Sequence, residues 1–277
     1  WRPRSSSRGV TGVPLAEFDE QILAIRGFTR ERKEEGRPLS ETHCAGSPDD
    51  LLRGLAVRFG PDTPPSVILK EDTFIELGNP VNGSASMVLW TRQTELVQDG
   101  SITRIGPDIP EAEGQSLPFG QVILLSGSRL EEKDLAKLER ASNLSSLLEG
   151  YMIRHVPRKL WSRVSRDAAA KGFCFETLGR ALMAHYKRTF PLLEAVEILF
   201  VTSSKSDVEE LEGIGLEAKG KSLSIRKLTR TEDGDYECDD LSCDECPEKP
   251  ACDTIREVMV IRKKGKIVGI EVVREGG

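Results

Sequence analysis

The 277-residue sequence predicts an α+β fold, with a mixed-sheet α/β arrangement as its near variant. Three observations carry this. Strand-like apolar runs follow one another through the first half. From Leu130 the apolar spacing changes to a helical period. Past Pro191 the run VEILFVTSS returns to strand character between two helical stretches.

Residues 1–13 read as an arm rich in Arg and Ser. From roughly Leu15 to Glu35, Leu15, Phe18, Ile22, Ile25 and Phe28 fall near helical spacing, and RERKEEG forms a charged end. SPDDLL then offers Ser47 as an N-cap, Pro48 at the first helical position and two acids in the first turn. Pro61, Pro64 and Pro65 make a stiff connection. SVILK, DTFIELG, SASMVLWTR, SITRIG and GQVILLSG are the strand-like runs, with GNPVNGS and QDGS as turn signals. Beyond them EEKDLAKLERASNLSSLLEGY places Leu135, Leu138, Ala141 and Leu144 on one helical side. A second helix is expected from about Arg158 to Lys171, closed by Gly172, and a third from about Thr177 to Thr189. VEILFVTSS is a buried strand, SDVEELEGIG a short helix starting at Ser206, and KSLSIRKLTR a further strand. REVMVIRKKGKIVGIEVVRE reads as a hairpin turning near Lys264 and Gly265.

Hydrophobic residues make up 38% and charged residues 30%, the balance of a globular chain with a large polar surface. A net charge of −6 argues against a general nucleic-acid binder. No apolar run is long enough to span a bilayer, and the basic N-terminus precedes no apolar signal-peptide core. No nucleic-acid or membrane partner is therefore expected, and a reducing cytoplasm is the expected location. In that setting a cysteine cluster points to metal more than to disulfides.

Four of the six cysteines, Cys238, Cys243, Cys246 and Cys252, lie in a Cys-x4-Cys-x2-Cys-x5-Cys pattern. Four soft thiolates this close can converge on one compact cationic centre without long loops. Nine acidic residues and no Lys or Arg stand between Glu232 and Glu248, so the empty loop would repel itself. A bound metal supplies the compensating charge. The first spacings match the plant-type 2Fe–2S pattern, but there the fourth cysteine lies further away. The leading expectation is an iron–sulfur cluster, 4Fe–4S, with structural zinc as the alternative and disulfides or free thiols as the third.

A second feature reverses the sign of the chain. Arg154, Arg158, Lys159, Arg163, Arg166 and Lys171 give six cations in eighteen residues against one acid, Asp167. Read as a helix, Lys159, Arg163 and Arg166 share one face, which suits phosphate groups, and Trp161 offers a ring for stacking. The plain alternative is a solvated face paired with acids such as Glu139 and Glu149. Cys174 in GFCFE reads as a small buried hydrophobe, Cys44 as a loop residue and Trp90 as core. His155 and His185 have no acid or nucleophile at a diagnostic spacing.

The motifs Phe59-Gly60-Pro61, Ile105-Gly106-Pro107-Asp108-Ile109, and Arg163-Val164-Ser165 with Asp167 and Ala170-Lys171-Gly172-Phe173 occur in a fixed order. Across roughly residues 54–205 the chain resembles the central domain of acetyl-CoA synthase, the beta subunit of the CO dehydrogenase/acetyl-CoA synthase complex. Three parts are expected: an N-terminal arm and helices (1–53), an acetyl-CoA-synthase-like domain (54–230), and a four-Cys loop with a hairpin (231–277).

The resemblance implies coenzyme A as a ligand of the basic region. Trp161, Arg163 and Lys171 match positions of that family segment, whose second tryptophan aligns with Met152; with the rest of the basic cluster, Arg154, Arg158, Lys159, Trp161, Arg163 and Arg166 are the candidate cofactor-binding residues. The family's nickel-binding Cys-Gly-Cys motif does not occur in this sequence, and its large N-terminal domain is expected to be absent. The expected function is an accessory iron–sulfur protein of anaerobic one-carbon metabolism, for redox or docking, with no catalytic residues of its own. Expected partners are CO dehydrogenase/acetyl-CoA synthase subunits, the corrinoid iron–sulfur protein or ferredoxin. The alternatives are a CoA-binding subunit of a split CO-methylating acetyl-CoA synthase, and a zinc-stapled interaction domain.

Overall fold

The computed structural model describes residues 18–44, 46–60, 63, 67–130, 138, 147–156, 159–225, 228–230 and 236–238. The chain divides into two units, Trp1–Ile225 and Arg226–Gly277.

In the first unit, α1 (Asp19–Glu34) forms where the apolar period predicts it: Phe18, Ile22, Ile25 and Phe28 are all buried. Each such side chain contributes about 2 kcal/mol of burial. Strand β1 (Leu39–His43) follows, and then the short helix α2 (Pro48–Leu52). Ser47 accepts from the Asp50 amide and the Asp50 carboxylate reaches back to Ser47, a complete capping box.

The runs read as strands become β2 (Thr73–Leu77), β3 (Ser84–Thr91), β4 (Ser101–Ile105) and β6 (Phe119–Ser126), with the two-residue β5 (Ser116–Leu117) before the last. β7 (Tyr151–Val156) and β8 (Lys159–Ser165) lead to the short α3 (Arg166–Ala170). Then come α4 (Phe175–Thr189), β9 (Ala195–Val201) and α5 (Lys205–Ile225).

Two sheets result. The larger has the order β1-β4-β9-β6-β3; β4/β9 and β6/β3 are parallel, and the other pairs antiparallel. β9 and β6 are buried at every position because helices cover both faces. Neighbouring residues of β6 show this. Phe119 stacks on Phe175 of α4, whereas a Cβ on Gly120 would stand 2.7 Å from Leu211 of α5. The smaller sheet, β5-β2-β8-β7, joins the larger one through Ser84. The Ser84 hydroxyl donates to the Leu160 carbonyl and accepts from its amide, both at 2.8 Å. Gly78 passes that point at φ +68°, where a Cβ would lie 2.3 Å from the same carbonyl.

Four expectations are corrected. The helix from Arg158 to Lys171 is instead β8 followed by α3, because the inward positions Leu160, Ser162 and Val164 alternate with period two. SVILK joins no sheet among the described residues: Ile68 is held by side chains rather than by a strand. The helix at SDVEELEGIG runs to Ile225, and Ser204 rather than Ser206 accepts from the Asp207 amide at its start. KSLSIRKLTR is therefore helix up to Ile225 and strand only at Leu228–Arg230.

The amphipathic stretch after Leu130 lies outside the described residues except for Leu138, which is buried and accepts from the Tyr186 hydroxyl. In the second unit, Leu228–Arg230 pairs antiparallel with Tyr236–Cys238, Leu228 opposite Cys238. The expected hairpin near Gly265 lies outside the described residues. No helix among the described residues is long and apolar enough to cross a membrane.

Candidate functional site

The basic region folds as the antiparallel pair β7–β8, and its register decides which candidates meet. Arg154 stands opposite Trp161, Met152 opposite Arg163, and Val156 opposite Lys159. Directly opposed residues of an antiparallel pair share a side, and so do alternate residues of one strand. Positions 154, 159, 161 and 163 thus fall on one side of the pleat, a grouping that the expected helix did not give. Arg158 lies outside the described residues.

The centre of this side is an ion pair. Arg163 donates from Nε and Nη2 to Glu76 Oε1 of the neighbouring β2, both at 3.0 Å, and from Nη1 to the Ile68 carbonyl at 3.3 Å. Its guanidinium lies 5.6 Å from the Trp161 ring centroid. Met152 accepts from the Ile68 amide through Sδ at 3.3 Å.

Burial, the largest single influence on Glu76, pushes its carboxyl up. Hydrogen bonds from Asn79, Arg163 and Trp161, with the charge of Arg163, outweigh it and bring the group below the ordinary carboxylate range. Asn79 also donates to Ser116, which ties β5 to the same cluster.

The remaining cations go elsewhere. Arg166, at the start of α3, pairs with Glu113 at 3.1 Å and reaches the Glu71 carbonyl. Lys171 pairs with Glu149 at 2.8 Å. Each of the three cations whose side chains are described, Arg163, Arg166 and Lys171, therefore has a carboxylate partner.

Glu76, Asn79 and Ser116 escaped sequence reading. The available signal was a lone acid inside the apolar run DTFIELG, whose neighbours Ile75 and Leu77 are fully buried. Such an acid needs a cation, and its cation is 87 residues away in the chain.

The cysteine candidates divide. Cys238 ends the strand Tyr236–Cys238; Cys243, Cys246 and Cys252 lie outside the described residues. Cys44 lies in the loop after β1, half-buried against the core, and donates its amide to the Gly100 carbonyl at 2.7 Å. Burial pushes its thiol up; Glu176 adds to this and Arg180 opposes it. Cys174 is half-buried too, with Sγ 3.5 Å from the Thr177 hydroxyl. Trp90 is core, as expected.

The family model described as CO dehydrogenase/acetyl-CoA synthase complex beta subunit matches residues 55–207. The chain is 33% identical over 147 residues to the acetyl-CoA decarbonylase/synthase complex subunit beta of Methanothermobacter thermautotrophicus, covering 52% of this chain and 31% of that protein. It is 31% identical over 189 residues to the carbon monoxide dehydrogenase/acetyl-CoA synthase subunit alpha of Moorella thermoacetica, covering 66% and 26%. A subunit beta 1 from Methanosarcina mazei is 32% identical over 146 residues, covering 52% and 30%. The matched segment spans about a third or less of these relatives' own length. It begins just after α2, takes in β2 to β9 and ends at the start of α5. The chain belongs to the CO dehydrogenase/acetyl-CoA synthase complex beta subunit family.

Proposed function

We propose that this chain is an accessory module of anaerobic one-carbon metabolism, docking on subunits of a CO dehydrogenase/acetyl-CoA synthase complex and carrying an iron–sulfur cluster on its four-cysteine segment. The observation that carries the docking half is the family match over β2 to β9, combined with the carboxylate engaged by each described cation of the basic region. Arg163, Arg166 and Lys171, so neutralised, suit a rigid scaffold better than an open phosphate site. Cys238, Cys243, Cys246 and Cys252 would hold the cluster. Four thiolates in an acidic run suit an iron–sulfur centre, which supplies one-electron transfer when bound. The acidic surround favours the oxidised state, because reduction adds negative charge.

One observation favours a second reading, a CoA-binding subunit of a split enzyme. The β7–β8 register groups positions 154, 159, 161 and 163 on one side. An anionic ligand there would have to displace Glu76 from Arg163.

Calorimetry separates the two. The docking reading predicts binding to purified complex subunits and no CoA binding. CoA affinity that Arg163→Ala weakens by about 1.5–3 kcal/mol, the scale of charged hydrogen bonds, would replace it with the second reading.

A further inference from the structure

The turn between β2 and β3, residues 79–83, holds the one Asn-Gly pair of the chain. The sequence has three asparagines. Asn79 precedes a proline, which has no amide N–H, and Asn143 precedes a leucine, whose bulk slows attack by its nitrogen. Asn82 precedes a glycine, whose backbone nitrogen is sterically open to the asparagine side chain. The fold itself demands that glycine. Gly83 sits at φ +93°, and a Cβ on it would stand 3.3 Å from Lys205 Cγ.

Ring closure at such a pair requires Gly83 to give up its amide proton and Asn82 to bring Cγ onto the freed nitrogen. A new N–Cγ bond closes a succinimide and the Cγ–Nδ2 bond breaks. The departing nitrogen takes up the proton that Gly83 lost and leaves as ammonia. Water then opens the ring at either carbonyl, giving aspartate or its β-linked isomer. In the native turn both reacting groups are engaged. The Gly83 amide donates to the Asn79 carbonyl at 3.1 Å, and Asn82 Nδ2 donates to the Ser116 carbonyl of β5 at 2.6 Å. Asn79 Oδ1 fastens the turn from within, accepting the amides of Val81 at 3.0 Å and Asn82 at 2.8 Å.

We propose that Asn82 and Gly83 form a hydrolytic modification site that the native turn keeps closed and that, once altered, loosens β5. Closure follows from the two engaged groups: the turn must fray before the ring can form. The consequence follows from what Asn82 holds. β5 pairs with β2 only through Ser116 and Leu117, and Asn82 adds a side-chain tether at Ser116. An aspartate there has no N–H to give and turns a carboxylate toward the Ser116 carbonyl. The Ser116 hydroxyl already donates to Glu76 Oε2 at 3.3 Å, so the new charge would join a carboxylate whose cation, Arg163, is already engaged.

The test incubates the full chain at mildly alkaline pH, native and in guanidinium chloride, and follows the Asn82 peptide by mass. The unfolded chain should convert Asn82 steadily, and the native chain at least about tenfold more slowly, because reaction through a locally opened turn is slowed by the cost of opening it. Equal rates would overturn the closed site, and an inert Asn82 in the unfolded chain would overturn the site altogether. N79A, which removes the inner fastening, should speed the native reaction by at least about threefold and leave the unfolded rate unchanged. A native N79A rate equal to that of the wild type would overturn the turn's part in closure. Melting temperatures test the consequence: N82A loses the tether, and N82D loses it and adds the charge. N82D should melt below N82A, and N82A below the wild type. An N82D melting temperature equal to that of the wild type would overturn the loosening of β5.

Discussion

Glu197 stands on β9, the middle strand of the five-stranded sheet, where it takes the guanidinium of Arg26 from α1 and the Gln98 amide at 2.7 Å. Glu76 stands on β2 of the four-stranded sheet and takes Arg163 from β8, whose Nε and Nη2 both donate to Oε1. The surroundings differ. Beside Glu197, α1 and α5 close over the sheet, and a second pair, Arg32 Nε to Asp207 at 2.8 Å, ties those helices together with side chains 9% and 2% exposed. Glu76 and Arg163 lie on neighbouring strands of one sheet, and Arg163 reaches on to the Ile68 carbonyl. In the first region charge fixes how elements pack. In the second it holds a surface side chain and the segment beyond it.

The largest effect belongs to the helix clamp. Asp207→Ala strips Arg32 of its most buried partner and should cost about 3–5 kcal/mol in urea unfolding, the scale of a broken buried pair. A loss near zero would mean that Glu210, which also meets Arg32, carries the clamp alone.

Asp207 also gives this region its pH dependence. Burial pushes its carboxyl up, but hydrogen bonds from Ser203, Ser204 and Arg32 bring it below the ordinary range. A folded value below the unfolded one means that its contribution is full above about pH 4, the ordinary carboxylate value, and is lost as pH falls through the lowered folded value. The wild type should therefore lose stability steeply on acidification, and Asp207→Ala should show a flatter curve.

Glu76→Gln comes next, at about 1–2 kcal/mol, since it removes a charged acceptor but leaves a neutral one. Glu76 is also held below the ordinary range, so the pair weakens with the same sign on acidification. If Glu76→Gln cost as much as Asp207→Ala, the contrast between the two regions would fail. The smallest effect is expected at the exposed Arg166–Glu113 pair, with side chains 56% and 62% exposed. Glu113→Ala should change stability by less than about 0.5 kcal/mol.

The same contrast explains what could be read from sequence. α1, α4 and the fully buried β6 and β9 announce themselves because local period and burial agree along the chain. β8 did not. Lys159, Arg163 and Arg166 fit a helical face, and the fully buried Ser162 disguises the strand alternation of Leu160 and Val164. SVILK reads as a strand because its composition is apolar, whereas its place is set by Met152 and Arg163 from distant strands. Glu76 was invisible for the same reason, since its role depends on a partner set by sheet register. Side-chain pairs across a sheet leave no local periodic signal.

Iron and acid-labile sulfide, measured with a visible spectrum on anaerobically purified chain, test the proposed cofactor most directly. The proposal predicts both elements, a broad visible absorption, and bleaching when Cys243→Ser or Cys246→Ser removes a ligand. A colourless protein with stoichiometric zinc would contradict it and make the four cysteines a structural staple.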